Sequence, residues 1–128
     1  MVGKKKGINA ERELIHMFWK HGWAAIRVAG SGSSKYPSPD LLAGNNLRKL
    51  AIECKAVSSA NKYIPSEGIS QLEQFSKKFG AEPWIGIRFD NLGWFFLSLE
   101  DIVNVGKSFR ISKEIAKERG LLFSELIS

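Results

Sequence analysis

The tightest constraint on this chain is a pair of short apolar runs meeting around a turn. Leu41–Ala43 and Leu50–Ile52 flank Gly44, Asn45 and Asn46, residue types that accept positive φ. The pair reads as a β-hairpin whose second strand continues to Lys55. A hairpin settles which residues face one another, because side chains alternate with a period of two. Twelve residues lie between Asp40 and Glu53, so if these two face each other the midpoint falls between Asn46 and Leu47, beside the turn. On the second strand Glu53 and Lys55 project from one face and Cys54 from the other. Two carboxylates and an ammonium thus converge.

Clustered carboxylate oxygens suit a hard cation such as Mg²⁺, which keeps some waters and accepts phosphate oxygens as further ligands. Such an ion lowers the pKa of a bound water and orients a scissile phosphate. Lys55 beside it could offset charge or orient the water. By spacing alone, an exposed sheet face with an ordinary Glu and Lys pair is the commoner arrangement. Placement favours a site: Asp40 precedes one apolar run and Glu53 and Lys55 end the other. At the rim of a core, charges cost free energy unless they are paired or bind metal.

Upstream, Ile8 to His21 predicts an amphipathic helix with Asn9, Arg12, Glu13, His16 and Lys20 on one face and Leu14, Met17 and Phe18 on the other. Gly22 is its stop. Glu11 breaks the pattern, sharing a stripe with Leu14, Ile15 and Phe18, and an inward carboxylate needs a partner or a metal. Trp23–Ala29 predicts a strand with Arg27 on the side of Trp23, Ala25 and Ala29, and 30–39 reads as loop. A second helix is expected over Glu67–Phe79, burying Ile69, Leu72, Phe75 and Phe79 and stopping at Gly80. Strands Trp84–Phe89 and Trp94–Leu99 follow around a turn at Asp90, Asn91 and Gly93. Then come a short helical turn at Glu100–Val105, an extended piece at Phe109–Ile111, and a helix capped by Ser112 and stopped by Gly120. This order predicts an α/β domain, a central mixed β-sheet flanked by helices, spanning 1–128 without repeat or linker. Residues 1–7 are expected to form a flexible basic tail.

A net charge of +6 suits a partner with a phosphate backbone, although charge alone does not separate nucleic acid from ribosomes or anionic membranes. Lys4, Lys5 and Lys6 are either DNA contacts or a solvated run. A single cysteine excludes an internal disulfide, no Cys/His cluster has zinc spacing, and no small-molecule cofactor is indicated. With no signal peptide or membrane span expected, the compartment is read as the cytoplasm. Cys54 turns away from the acids and reads as an inert buried thiol, and His16 and His21 are assigned no chemistry. Gln71 reads as surface solvation more than a site residue, and Lys35 and Tyr36 as either DNA contacts or solvated loop. Trp84, Phe89, Trp94, Phe95 and Phe96 could all be core or could cover a partner subunit.

Pro39-Asp40 with Glu53-Cys54-Lys55 matches the PD-(D/E)XK nuclease signature. Its surroundings, GINAERELI from Gly7, RVAGSG from Arg27, PDLLAG from Pro39, IECKA from Ile52 and KSFRI from Lys107, resemble archaeal Holliday junction resolvases of the Hjc and Hje type. The resemblance covers most of the chain and implies a restriction-endonuclease-like fold. It implies a homodimeric enzyme that cuts two opposed strands of a four-way DNA junction with Mg²⁺ or Mn²⁺ in recombination and repair. Carried onto these positions, Glu11, Asp40, Glu53 and Lys55 take the catalytic roles, with the three acids binding metal. Ser31 matches a serine important for cleavage, and Arg12 and Arg27 match arginines associated with activity or junction binding. Recombination or replication proteins are possible partners. A non-catalytic junction-binding module, needing only the positive charge, is the competing expectation.

Overall fold

The computed structural model describes residues 2–30 and 35–128, with side chains from residue 5 onward in the first helix. Helix α1 (Val2–Lys20) turns through Gly22, whose φ of 84° suits a residue without Cβ, into strand β1 (Ala24–Arg27). Strands β2 (Leu41–Gly44) and β3 (Lys49–Val57) form the expected hairpin, paired from Gly44 opposite Lys49 to Leu41 opposite Ile52. The ladder ends at Leu41 opposite Ile52, and Asp40, one residue beyond it, donates its N–H to Ile52 O at 3.1 Å, which leaves its carboxylate beside Glu53, close to the facing position the spacing predicts. The turn is closed by Asn45, whose N–H donates to Arg48 O at 3.0 Å. The Oδ1 of Asn45 accepts from the backbone N–H groups of Leu47 and Arg48 at 2.9 and 2.8 Å.

The chain continues through β4 (Asn61–Pro65), α2 (Ser66–Phe79), β5 (Glu82–Phe89), β6 (Gly93–Leu97), β7 (Val103–Asn104), β8 (Ser108–Ser112), α3 (Lys113–Arg119) and α4 (Phe123–Leu126). Five strands make the main sheet in the order β1-β2-β3-β5-β6. The β3–β5 pair is parallel and needs a crossover, which α2 helps supply, while the other neighbours are antiparallel, so the sheet is mixed as expected. A smaller sheet has the order β4-β8-β7.

Alternation along β3 divides the core in two. Leu50, Ile52 and Cys54 pack with Leu14 and Phe18 of α1, whereas Ala51 and Val57 pack with Ile69 and Leu72 of α2 and Ile64 and Ile111 of the small sheet. Full burial of side chains such as Phe18, Ile52 and Phe96 contributes about 1.5–3 kcal/mol each. Phe89, Trp94, Phe95 and Phe96 are buried and Trp84 is partly so, which makes the aromatic group core. Gly86 on β5 seats Phe96: a Cβ there would lie 3.0 Å from Phe96 Cε1.

The structure departs from expectation at five places, two of them Phe79, predicted buried but 47% exposed at the end of α2, and α4, which the sequence reading lacks. Helix α1 starts at Val2 rather than Ile8, so 2–7, predicted as a tail, is helical. One reason is tertiary: Lys6 Nζ lies 2.9 Å from Asp90 Oδ1, tying those first turns to the segment between β5 and β6. The predicted helical turn at Glu100–Val105 is replaced by bends and strand β7, because Val103 and Asn104 pair with Arg110 and Phe109 of β8. Strand β4 has no counterpart in the sequence reading, since its partner β8 is remote and its register runs Asn61 opposite Ser112 to Pro65 opposite Ser108. The predicted helix after Ser112 forms as α3, with Ser112 Oγ accepting from Ile115 N–H at 3.0 Å. Among the described residues no helix is long and apolar enough to cross a membrane.

Candidate active site

Asp40 sits one residue before β2 with its backbone pinned on both sides. Its N–H donates to Ile52 O at 3.1 Å, and its carbonyl accepts from Val28 N–H at 2.8 Å. The side chain is tethered too, Oδ2 accepting from Cys54 N–H at 2.9 Å. Glu53 and Lys55 stand at alternate positions of β3, with Lys55 Nζ 3.4 Å from Glu53 Oε2. From the opposite layer, α1 brings Glu11 toward the same rim, where Arg27 Nε donates to its Oε1 at 2.8 Å. The inward acid on the apolar stripe therefore has a partner in the strand residue that the alternation turns the same way.

Burial and mutual repulsion set the electrostatics. Glu53 is pushed up to about 7, first by burial and next by the negative charge of Asp40, with Lys55 opposing the rise. Glu11 is also raised, mainly by burial, with the Arg27 hydrogen bond as the largest counterweight and the Asp40 charge adding to the rise. Burial drives the Cys54 thiol well above its ordinary value, consistent with an inert group on the far face of β3. A rim where buried carboxylates resist joint ionisation is one that a divalent cation relieves, and all-oxygen donors suit a hard ion. Among the described residues no three His, Cys, Asp or Glu side chains stand assembled as a metal cage. Asp40 and Glu53 are the donors at hand, and Glu11 is engaged by Arg27.

The other predicted residues are exposed, paired with other groups or outside the described residues. Ser31 and the side chain of Lys4 lie outside the described residues. Arg12 and Lys5 are exposed on α1, and Lys6 is paired with Asp90. Lys35 lies over the ring of Tyr36, its Nζ 5.8 Å from the centroid. Gln71 is exposed and its Nε2 donates to Glu67 Oε1 at 3.3 Å, one turn back on α2. His16 is exposed, and His21 Nδ1 lies 2.9 Å from Met17 O.

The sequence reading missed the group that holds α1 in place. Glu13 Oε1 accepts from both Trp94 Nε1 at 2.7 Å and Arg88 Nε at 2.9 Å, binding the helix to β6 and β5. Those partners draw the Glu13 carboxyl below its ordinary range against an opposing effect of burial, the largest single influence. No local periodicity signals this contact, because Glu13 belongs to the polar face of its own helix.

Residues 2–128 match the family profile described as archaeal Holliday junction resolvase (Hjc). The crossover junction endodeoxyribonuclease Hjc of Archaeoglobus fulgidus is 38% identical, with 95% of each chain covered. Hjc of Methanocaldococcus jannaschii is 37% identical over 96% of this chain and 87% of that one. A crystal structure of Archaeoglobus fulgidus Hjc, described as a Holliday junction resolvase from an archaeal hyperthermophile, superposes with a TM-score of 0.86 at 37% identity. That match covers 91% of this chain and 94% of the other, and the restriction-endonuclease-like architecture follows from it.

Proposed function

The chain belongs to the archaeal Holliday junction resolvase (Hjc) family, and from that premise we propose a metal-dependent endonuclease that resolves four-way DNA junctions by cutting two opposed strands. The carrying observation is the hairpin that brings the Asp40 carboxylate beside Glu53, with Lys55 two residues further along the same strand face. Asp40 and Glu53 would hold Mg²⁺, with Mn²⁺ a substitute, and Glu11 would be the third acid of the set. A bound ion of this kind makes a water nucleophilic near neutral pH and takes phosphate oxygens as ligands.

The protein's own groups do the rest. Hydrolysis adds water across a P–O bond, and negative charge on the phosphoryl oxygens must be met as it develops. The Lys55 ammonium, 3.4 Å from Glu53, meets it. Arg27 holds Glu11 at the rim. Ser31 serves cleavage, and Arg12, Arg27, Lys35 and the run Lys4, Lys5 and Lys6 contact the phosphate backbone. A four-way junction has approximate two-fold symmetry, so a two-fold homodimer brings one site to each of two strands. Residues 1–128 act as one nuclease domain in the cytoplasm, with recombination or replication proteins as recruiters.

The test is cleavage of a synthetic junction, linear duplex, flap and single strand with Mg²⁺ or Mn²⁺, at one stated salt concentration because phosphate contacts make affinity salt-dependent. Paired cuts in the junction are expected. Equal cutting of linear duplex would remove the junction selectivity, and tight binding without cutting would make the protein a binding module.

A further inference from the structure

Burial alternates without a break from Ser38 to Gly44: Pro39, Leu41 and Ala43 are buried, and the residues between them are half-buried. The alternation of β2 therefore runs back past its first residue. Pro39 favours this, because proline fixes its own φ and holds the residue before it extended. Leu41 and Ala43 pack with Leu50 and Ile52 in the α1 layer. Ser38 is thus left on the other face, the one that carries Asp40, Glu53 and Lys55.

Although the residue is half-buried, Ser38 Oγ is shielded from solvent and has no hydrogen-bond partner among the described residues. A shielded hydroxyl without a partner destabilises the protein that carries it, and such groups are rare. Its position two residues from Asp40 gives a reason for keeping it. A divalent ion polarises the O–H bonds of its waters, so a bound water is a strong donor that needs an acceptor nearby. Ser38 Oγ is a neutral acceptor on the right face. A strand of DNA stays on the solvent side of the rim and does not reach a screened oxygen, whereas an ion held by Asp40 would bring its waters to the face that Ser38 shares.

Building on the endonuclease reading, we propose that Ser38 is a positioning residue of the metal site, its hydroxyl accepting a hydrogen bond from a water of the ion held by Asp40 and Glu53. Ser38 touches neither the ion nor the phosphate. It acts by fixing the orientation of the ion's hydration shell.

The test is thermal unfolding of the DNA-free full chain across a Mg²⁺ titration, for the parent, Ser38→Ala, Ser38→Cys, Ser38→Thr and the control Ser76→Ala. Ser76 carries another shielded hydroxyl without a partner among the described residues. It lies in the last turn of α2, which meets Lys49 at the opposite end of β3 from Lys55. Removing either hydroxyl should leave the metal-free melting temperature level or raise it, because an unmet polar group is lost. In Ser38→Ala the Mg²⁺ concentration needed for a given rise in melting temperature should increase by about 10-fold. Ser38→Cys, close in size but a weak acceptor, should show the same increase, and Ser38→Thr should restore the parent value. Ser76→Ala should match the parent. The Mg²⁺ requirement for junction cleavage should rise by the same factor in Ser38→Ala, with metal-free junction binding unchanged. A Mg²⁺ response of Ser38→Ala within about twofold of the parent, or an equal change in Ser76→Ala, would overturn the assignment. A lower metal-free melting temperature with an unchanged Mg²⁺ response would make the hydroxyl structural. If the parent shows neither stabilisation by Mg²⁺ nor cleavage, the endonuclease reading fails and the role of Ser38 with it. If the parent shows both, only Ser38 is at stake.

Discussion

The backbone N–H of Cys54 donates to Asp40 Oδ2 at 2.9 Å, so the strand that carries Glu53 and Lys55 also grips the aspartate by its side chain. The gripping amide belongs to the residue between those two. Orientation of the first acid and placement of the other two groups therefore come from one stretch of backbone.

Asp40→Asn keeps a side-chain oxygen for that amide and removes only the charge. Junction cleavage should fall by at least about 100-fold, as when a group acting on a developing charge is lost. The melting temperature should stay level or rise, and junction binding should be retained. A cleavage rate within about tenfold of the parent would show that Asp40 is not part of the machinery.

Glu53 makes the fold's stability depend on pH in a definite direction. Its folded pKa, about 7, lies above the ordinary 4.5, so the folded state holds the proton more tightly. Stability from this group is full below about 4.5 and is lost as pH rises through about 7. Glu53→Gln should therefore melt higher than the parent at pH 8, by about 1–2 kcal/mol, with little difference at pH 4.5. Mg²⁺ should raise the melting temperature of the parent at pH 8 more than that of the variant. An equal gain from the substitution at both pH values would contradict the assignment.

Arg27 supplies the strongest influence holding the Glu11 carboxyl down. In Arg27→Gln the Glu11 pKa should climb further, moving the acid limb of the pH–rate profile to higher pH and cutting activity roughly tenfold near neutrality. Stability should change by less than about 1 kcal/mol, because the guanidinium is 37% exposed. A uniform fall in rate with no movement of the profile would mean that Arg27 acts on DNA and not through Glu11.

Glu13 receives the indole N–H of the buried Trp94 as well as Arg88. Glu13→Ala leaves that N–H without its acceptor and should cost about 1–3 kcal/mol in thermal unfolding, whereas Glu13→Gln, which keeps an oxygen there, should cost less. Identical melting temperatures for the two variants would place the value of the contact elsewhere.

How much of this is legible beforehand depends on how local each relationship is. Asp40, Glu53 and Lys55 lie on one hairpin, where counting through a turn yields the facing pair, and the observed register agrees with the count. Glu11 is visible only as an acid on the wrong stripe of its helix. Its bond to Arg27 depends on where α1 lies over β1, which no spacing within either element encodes. The small sheet is hidden for the same reason, because Asn61 meets Ser112 only after the intervening chain has folded. At Val103 and Asn104, pairing with β8 overrides a helical pattern. Family resemblance supplies Ser31, and no geometric argument in the described residues adds to it.

The tip of the β2–β3 turn, where Leu47 is 89% exposed, has the look of a place that tolerates insertions, as solvent-facing loop ends commonly do. Its length is nonetheless a ruler. One residue added between Asn45 and Arg48 would either slide the pairing by a step or bulge the turn, and a slide turns each side chain of one strand to the other face. Asp40 would then lose both Glu53 and the Cys54 amide while every acid remained in the chain. Relatives that differ in length should therefore differ elsewhere, and a variant library that scans single insertions should find this surface turn as intolerant as the buried core.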